Sequence, residues 1–468
     1  MKNKNLWLSL LITIGVLFLL TWLIPSTSYG NGDELVLGTV NQTGIWDIFY
    51  YLSMLPLWFG QNFIYILTIG VFYGVINYTG ALRNLEEKIV SLLKKKEKVF
   101  LIISSVLFTI VAGFTGISFP LMLFVPFVVG IILSLGFNKV TALMATIVPI
   151  LIGTMGSLNS TVLFSAINGY VENGLSFPWF KLALILTGLA TVILYLHFTA
   201  KIAKGKAKEE IDEELLFIEK KDGYKKAKIW PVITAFSVIL GFLILGMTPW
   251  KELFNTNIFE EFHASVTELK IGNFAIIGSF LGTSVTAFGN WDIFDVTALI
   301  WIITMVLILV YKIKLRDGIK AAYDGIVKML PVAIIVVLSN MAFVFVSQSG
   351  ILTTVINFIA SLTEGINAFT FSLASFIGGA VVNESYLASN VTWVFNSILG
   401  ETSELPLLML IQQVMYGFAM LVAPTSIFLL AGLSYLEVDY KKWLKSTWLL
   451  LLILGSIALI VLTLAIAL

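Results

Sequence analysis

Most of this chain consists of apolar runs about twenty residues long, and three regions of it are broken by glycine, proline or clustered polar side chains. A run of that length crosses the hydrocarbon of a bilayer as a helix. Unbroken runs are Leu6–Pro25, Gln61–Gly80, Pro178–Lys201, Ile229–Met247, Ile293–Tyr311, Met329–Val346 and Trp443–Ile466. The first exceeds the apolar core of a signal peptide, and Trp22–Pro25 is a poor cleavage context, so it is read as a retained helix. The broken regions are Val99–Gly136, around Gly113, Gly116 and Pro120; Val140–Tyr170, around Gly153 and Gly156; and Ala368–Leu433, with interruptions at Asn383–Asn390 and Pro424–Ser426. A break frees backbone groups that lipid cannot satisfy. Such breaks survive only inside protein or against an aqueous cavity. Continuous rather than alternating apolar character excludes a β-barrel. The expected class is an all-α polytopic membrane protein.

Composition agrees. Hydrophobic residues make up 58% of the chain and charged residues 12%. A soluble protein has about a quarter of its residues charged, so this chain cannot cover a water-facing surface. The net charge of +1 points to no nucleic-acid partner, and the lack of cysteine excludes disulfides and thiolate metal sites. The only histidines, His197 and His263, leave almost no room for a histidine metal site or triad. No phosphate loop, paired catalytic carboxylates or nucleophile elbow is present, so the chain is not read as an enzyme.

Basic residues orient the spans. Arg83–Lys98 holds six of them, Lys201–Lys228 nine and Lys312–Lys328 five, while Ser26–Gly60 holds none. A cytoplasmic N-terminus puts 26 of the 29 basic residues inside, leaving out Lys181, Lys251 and Lys270, and puts the C-terminus outside a multi-pass plasma-membrane protein. Parity then makes 99–136 a hairpin entered from inside, with its turn near Gly113–Ser118. It makes 140–170 a broken outward helix, 368–399 a hairpin entered from outside, and 405–433 a broken inward helix. The expected organisation is a first inverted repeat over 1–200, a solvated cytoplasmic linker over 201–228, a connecting span and outer segment over 229–290, and a second repeat over 291–468. Ile45–Trp58 and Arg316–Lys328 read as interfacial helices. Gly80 parallels Gly350, Gly153 parallels Gly417, and Thr161 parallels Thr425. Inverted repeats with discontinuous helices are typical of secondary transporters.

Three clusters could carry chemistry. Gly153–Thr161 offers Thr154, Ser157, Asn159, Ser160 and Thr161 beside a helix break, where free N–H groups favour an anion and free carbonyls a cation. Small-residue helix packing is its structural alternative. Ala423-Pro424-Thr425-Ser426 breaks a second helix, with Gln412, Gln413 and Tyr416 earlier on it. Asn383-Glu384-Ser385 puts an acid in an apolar hairpin, where it could hold a cationic group, a proton or sodium. Trp46-Asp47 and Trp291-Asp292 read as belt anchors with a capping aspartate.

With these elements in place the chain resembles the ion transporter superfamily, which includes sodium-coupled dicarboxylate symporters and p-aminobenzoyl-glutamate transporters. Within it, the chain is similar to the YfcC-like and C4-dicarboxylate anaerobic carrier (DcuC-like) group. The likeness rests on Leu20–Pro25, Gly70–Val75, Gly417–Gly432 and Tyr440-Lys441-Lys442-Trp443. It implies a homodimeric elevator-type transporter whose mobile domain holds both hairpins and both broken helices. It also implies a first substrate and ion motif at Ser157, Asn159, Ser160 and Thr161, and a second at Thr425 and Ser426.

The resulting expectation is a secondary active transporter of a small carboxylate-bearing metabolite, by ion-coupled symport or by exchange as an antiporter. Asn159, Ser160, Thr161, Thr425 and Ser426 would hold a carboxylate, with Ser157, Asn383, Ser385 and Pro424 completing the site. Glu384 would hold an ammonium or the coupling cation, sodium or a proton, with a sodium site near Asn159 and Thr425. No cofactor is expected. These motifs contain no arginine to clamp a second carboxylate, which favours an amino acid over a C4-dicarboxylate. A channel is the more remote reading.

Overall fold

The structure, a computed structural model, describes residues 4–29, 35–159, 177–202, 217, 219, 224–271, 274–282, 284–383, 386–399 and 405–468. Among the described residues, eight helices are long and apolar enough to cross a membrane. The molecule is an all-α polytopic membrane protein.

Helix α1 (Lys4–Leu20) leads into a β-hairpin of Pro25–Tyr29 and Leu35–Val40, which the sequence reading left as loop. Helix α2 (Ile45–Thr79) follows, then the short amphipathic α3 (Ala81–Leu92). The first hairpin is α4 (Glu97–Thr115), a 3-10 turn (Phe119–Phe124) and α5 (Val125–Ser134). The first broken helix begins with α6 (Lys139–Met144) and α7 (Ile147–Met155), and the rest of its expected range, 160–170, lies outside the described residues. After α8 (Pro178–Thr199) and α9 (Trp230–Met247) come α10 (Ile293–Val310), α11 (Leu315–Ser349) and the short α12 (Ile351–Ala360). The second hairpin is α13 (Ala368–Val381), a π turn (Leu387–Val391) and α14 (Thr392–Leu399). The second broken helix is α15 (Leu405–Val422) with α16 (Ile427–Tyr435), before the final α17 (Tyr440–Ala467).

Helices α2 and α11 form the axis of the fold. Each has 35 residues and an internal proline, Pro56 or Pro331. The segments expected as separate interfacial helices, Ile45–Trp58 and Arg316–Lys328, are the first parts of these two helices, and only α2 carries a non-helical residue, Phe59. Helix continuity keeps the backbone bonds internal except at the two prolines and at that kink. The two helices cross with their backbones touching: a Cβ built on Gly325 would lie 2.0 Å from the Gly70 carbonyl oxygen, and one on Gly74 2.2 Å from that of Ala321. Without a hydrophobic drive between helices in lipid, small residues and close approach supply the packing. Both helices end on a left-handed glycine, Gly80 (φ 72°) and Gly350 (φ 71°), and both then turn into a short helix.

Two residues of the 201–228 segment dock on this axis instead of lying in solvent. Phe217 is buried against Tyr73, and Glu219 accepts from Lys328 at 2.8 Å. The aspartates of the two Trp-Asp pairs do cap: Asp47 accepts from the Gly44 N–H at 2.7 Å, and Asp292 from the Phe294 N–H at 2.7 Å.

Candidate functional site

The first break is built against the first hairpin. Helix α7 stops at Gly156, and the residues that follow lie on the tip of α4. The Leu158 N–H donates to the Gly113 carbonyl at 2.8 Å, and Asn159 Nδ2 donates to that of Thr115 at 3.3 Å. Ser157 Oγ donates to the Asn159 carbonyl at 2.6 Å. Gly116 makes this approach possible: it is left-handed (φ 74°), and a Cβ there would lie 2.2 Å from the Asn159 carbonyl oxygen. From α15, Gln413 Nε2 donates to the carbonyls of Ser157 (2.7 Å) and Thr154 (3.3 Å). A buried amide on the second broken helix therefore satisfies carbonyls at the first.

The second break follows from Pro424, which has no N–H to continue α15. The exposed helix end is satisfied from α17: Trp443 Nε1 donates to the Leu421 carbonyl at 3.1 Å, and the Tyr440 hydroxyl donates to that of Val422. The stretches Ala423–Ser426 and Tyr440–Trp443, far apart in sequence, are thus one structural unit. Thr425 donates its hydroxyl to the Ala380 carbonyl on the second hairpin. Ser426 restarts the helix as N-cap of α16, accepting from the Leu429 N–H at 3.1 Å. Asn383 Oδ1 accepts from the Tyr386 N–H at 2.9 Å and shapes the second hairpin tip.

Between the hairpin tips and the α2–α11 axis lies a cavity of about 250 Å³. Gln61 and Asn62 come from α2, Ser339 and Asn340 from α11, Ser118 from the first tip, Asn383 from the second, and Thr425 from the second break. Aromatic walls alternate with these groups. Phe119 meets Phe428 edge to face at 5.4 Å, and Phe59 meets Phe343 likewise at 5.5 Å. Ile427 and Phe428, the first residues of α16, also line the cavity, so its positive dipole end is part of the wall. Every described lining residue is uncharged. The arrangement suits a small anion held by neutral hydroxyls, amides and a helix end.

The expected site residues divide into three groups. Asn383 and Thr425 line the cavity, and Pro424 and Ser426 form the break behind it. Ser157 and Asn159 are buried one layer away, bonded into the contact between break and hairpin. Ser160, Thr161, Glu384 and Ser385 lie outside the described residues. Asn159 and Thr425, the expected sodium neighbours, bond different hairpins, at the Thr115 and Ala380 carbonyls respectively. Sequence reasoning missed Gln61, Asn62, Ser339 and Asn340. Their signature was present as two polar pairs, one opening the Gln61–Gly80 run and one inside Met329–Val346. Among the described residues no cluster of three or more acidic or histidine side chains could hold a metal.

The family model of the C4-dicarboxylate anaerobic carriers (DcuC) matches residues 60–467, which include both hairpins, both breaks and every polar lining residue named above. The chain belongs to the DcuC family. Within that DcuC match lie the α2–α11 axis from Gly60 onward and the paired stretches Ala423–Ser426 and Tyr440–Trp443. An uncharacterized protein of Haemophilus influenzae is 23% identical over 415 residues, covering 85% of this chain and 74% of its own length. Among solved structures, the Alcanivorax borkumensis YdaH transporter is similar at 14% identity with a TM-score of 0.40, over 99% of this chain and 98% of the other.

Proposed function

We propose that this transporter is an ion-coupled secondary carrier of a small carboxylate-bearing metabolite, with C4-dicarboxylates as its first class. The observation that carries the reading is the polar cavity, uncharged in its described lining, framed by two hairpin tips and the N-terminus of α16. Its amides and hydroxyls can ligate carboxylate oxygens, and the half-helix end supplies a positive dipole. The family's own substrate name supports the dicarboxylate class over the amino acid. A doubly charged anion brings no balancing arginine or lysine into contact, so cations that travel with it would neutralise it. An amino acid would need an acidic partner for its ammonium, and the described lining supplies none.

The matched order of elements in the two halves supports an inverted repeat. Each half has a 35-residue helix, a left-handed glycine, a short helix, a hairpin and a broken helix. On this reading α2 and α11 belong to a static scaffold, while the hairpins and broken helices move as an elevator within a homodimer. The N-terminus lies inside and the C-terminus outside.

The test is a thermal-shift titration of purified protein with succinate, aspartate and serine, with and without sodium. A ligand that binds only the folded state raises the unfolding temperature by mass action. Succinate should stabilise the wild type, aspartate and serine should not, and Asn383→Ala and Thr425→Val should each abolish the shift. No shift with any acid, or full shifts in both variants, would overturn the reading.

A further inference from the structure

Glu86, on α3 outside the spans, is 1% exposed, and neither carboxyl oxygen has a hydrogen-bond partner. The group sits over Gly130 of α5: a Cβ built on Gly130 would lie 2.4 Å from Glu86 Oε1. Only glycine leaves that seat open. The hydroxyl of Tyr435, at the end of α16, is also buried without a partner and interacts electrostatically with Glu86. A carboxylate in such a place loses its hydration with nothing in return, so the neutral, protonated acid is the form that fits.

Among the described residues, the groups facing this seat are few. Arg83 and Glu87 share its helix, and Arg83 Nε pairs with Glu87 at 3.0 Å. Tyr73 reaches it from α2 and Tyr435 from α16, while α5 carries no titratable residue. The short turn Tyr224–Lys226 also packs on α3 and carries Lys225 and Lys226; Asn84 donates to the Lys225 carbonyl. Burial pushes the Glu86 carboxyl well above the ordinary carboxylate range, against the pull of Arg83.

The seat joins parts that the transport reading sets in relative motion. Glu86 and Tyr73 belong to the scaffold side, and Gly130 and Tyr435 to the first hairpin and second broken helix. The Tyr73 hydroxyl donates to the Leu123 carbonyl of that hairpin at 2.7 Å, a bond that any displacement would break. We propose, resting on that reading, that Glu86 is a proton-binding site of the transport cycle. It holds a proton while the hairpin is seated as seen here. When the hairpin leaves, the carboxyl meets water, its O–H bond breaks, the proton passes to water and a carboxylate remains. The two conformations then bind protons unequally, so pH shifts the balance between them.

The test uses full-length wild type and Glu86→Gln, with labelled succinate in proteoliposomes and infrared spectra of the purified proteins. At neutral pH the wild type should show a protonated-carboxyl stretch that Glu86→Gln lacks. Raising the pH on the face that bears α3 should change the rate of succinate uptake by the wild type severalfold and leave that of Glu86→Gln unchanged. Gly130→Ala, which pushes a methyl into the seat, should shift the same band, and it assigns the band should Glu86→Gln fail to fold. The same severalfold pH dependence in folded Glu86→Gln, or no such band in a wild type that transports succinate, would overturn this proposal alone. A wild type that moves no succinate and binds no acid would overturn the transport reading, and the cycle with it.

Discussion

Gly116→Ala probes the contact between the first hairpin tip and the first break. The backbone at Gly116 is left-handed (φ 74°), which costs an L-residue about 1–2 kcal/mol. The new methyl would also lie 2.2 Å from the Asn159 carbonyl oxygen, and ordinary contact begins at 3.4 Å, so tip and break must part by 3.4 − 2.2 = 1.2 Å. Overpacking of that kind costs about 1–3 kcal/mol more. Gly365→Ala supplies the control: its φ is also positive (65°), but nothing lies within 4 Å of the added methyl. Thermal unfolding in detergent should therefore place Gly116→Ala well below wild type and Gly365→Ala only slightly below. Succinate stabilisation should be lost in the first and kept in the second, because the Ser118 wall moves with the tip. Equal unfolding temperatures for the two variants would mean that the tip is not seated on Asn159, and the argument for a cavity framed by that contact would fall.

Three further outcomes follow from the packing. Gln413→Leu removes the donor to the Thr154 and Ser157 carbonyls and should cost about 1–3 kcal/mol, read as a lowered unfolding temperature. Gly325→Ala should destabilise, because the helix axis must open by 3.4 − 2.0 = 1.4 Å, whereas Gly241→Ala, with open space around it, should stabilise by about 0.5–1 kcal/mol. Glu86 sets a pH dependence: its folded value is raised, so its contribution is complete below the unfolded value near 4.5 and is lost as pH rises through the folded one. Over that window the wild type should lose stability relative to Glu86→Gln by about 1.4 kcal/mol per pH unit. A constant difference between the two would remove Glu86 as a buried acid.

Much of the fold was legible because the bilayer imposes length. Runs such as Pro178–Lys201 and Ile293–Tyr311 became helices within two residues of their expected ends. The breaks were legible because Pro424 lacks the N–H that would continue a helix, and Gly116 and Gly156 stand beside clustered polar side chains where the backbone can leave one. Less visible was where the freed backbone groups would find partners. Ser157 and Asn159 turned toward the hairpin tip instead of the cavity, where they satisfy the Asn159 and Thr115 carbonyls, while Gln413 satisfies those of Thr154 and Ser157. Glu86 looked like one more charge in a basic stretch, since amphipathic spacing does not reveal that α5 would present a glycine to it.

By itself, then, the sequence determined a membrane-spanning helical protein and the places where its helices stop, and set an expectation for the side bearing its positive charge. These depend on local chemistry: apolar length, missing N–H groups and counted lysines. Only the tertiary structure decided which polar side chains face the cavity and which satisfy the backbone. The decisive pairs are remote in the chain, as with Gln413 and Ser157, 256 residues apart. Packing across that distance chooses the partner, and an apolar interior forces each polar group to have one.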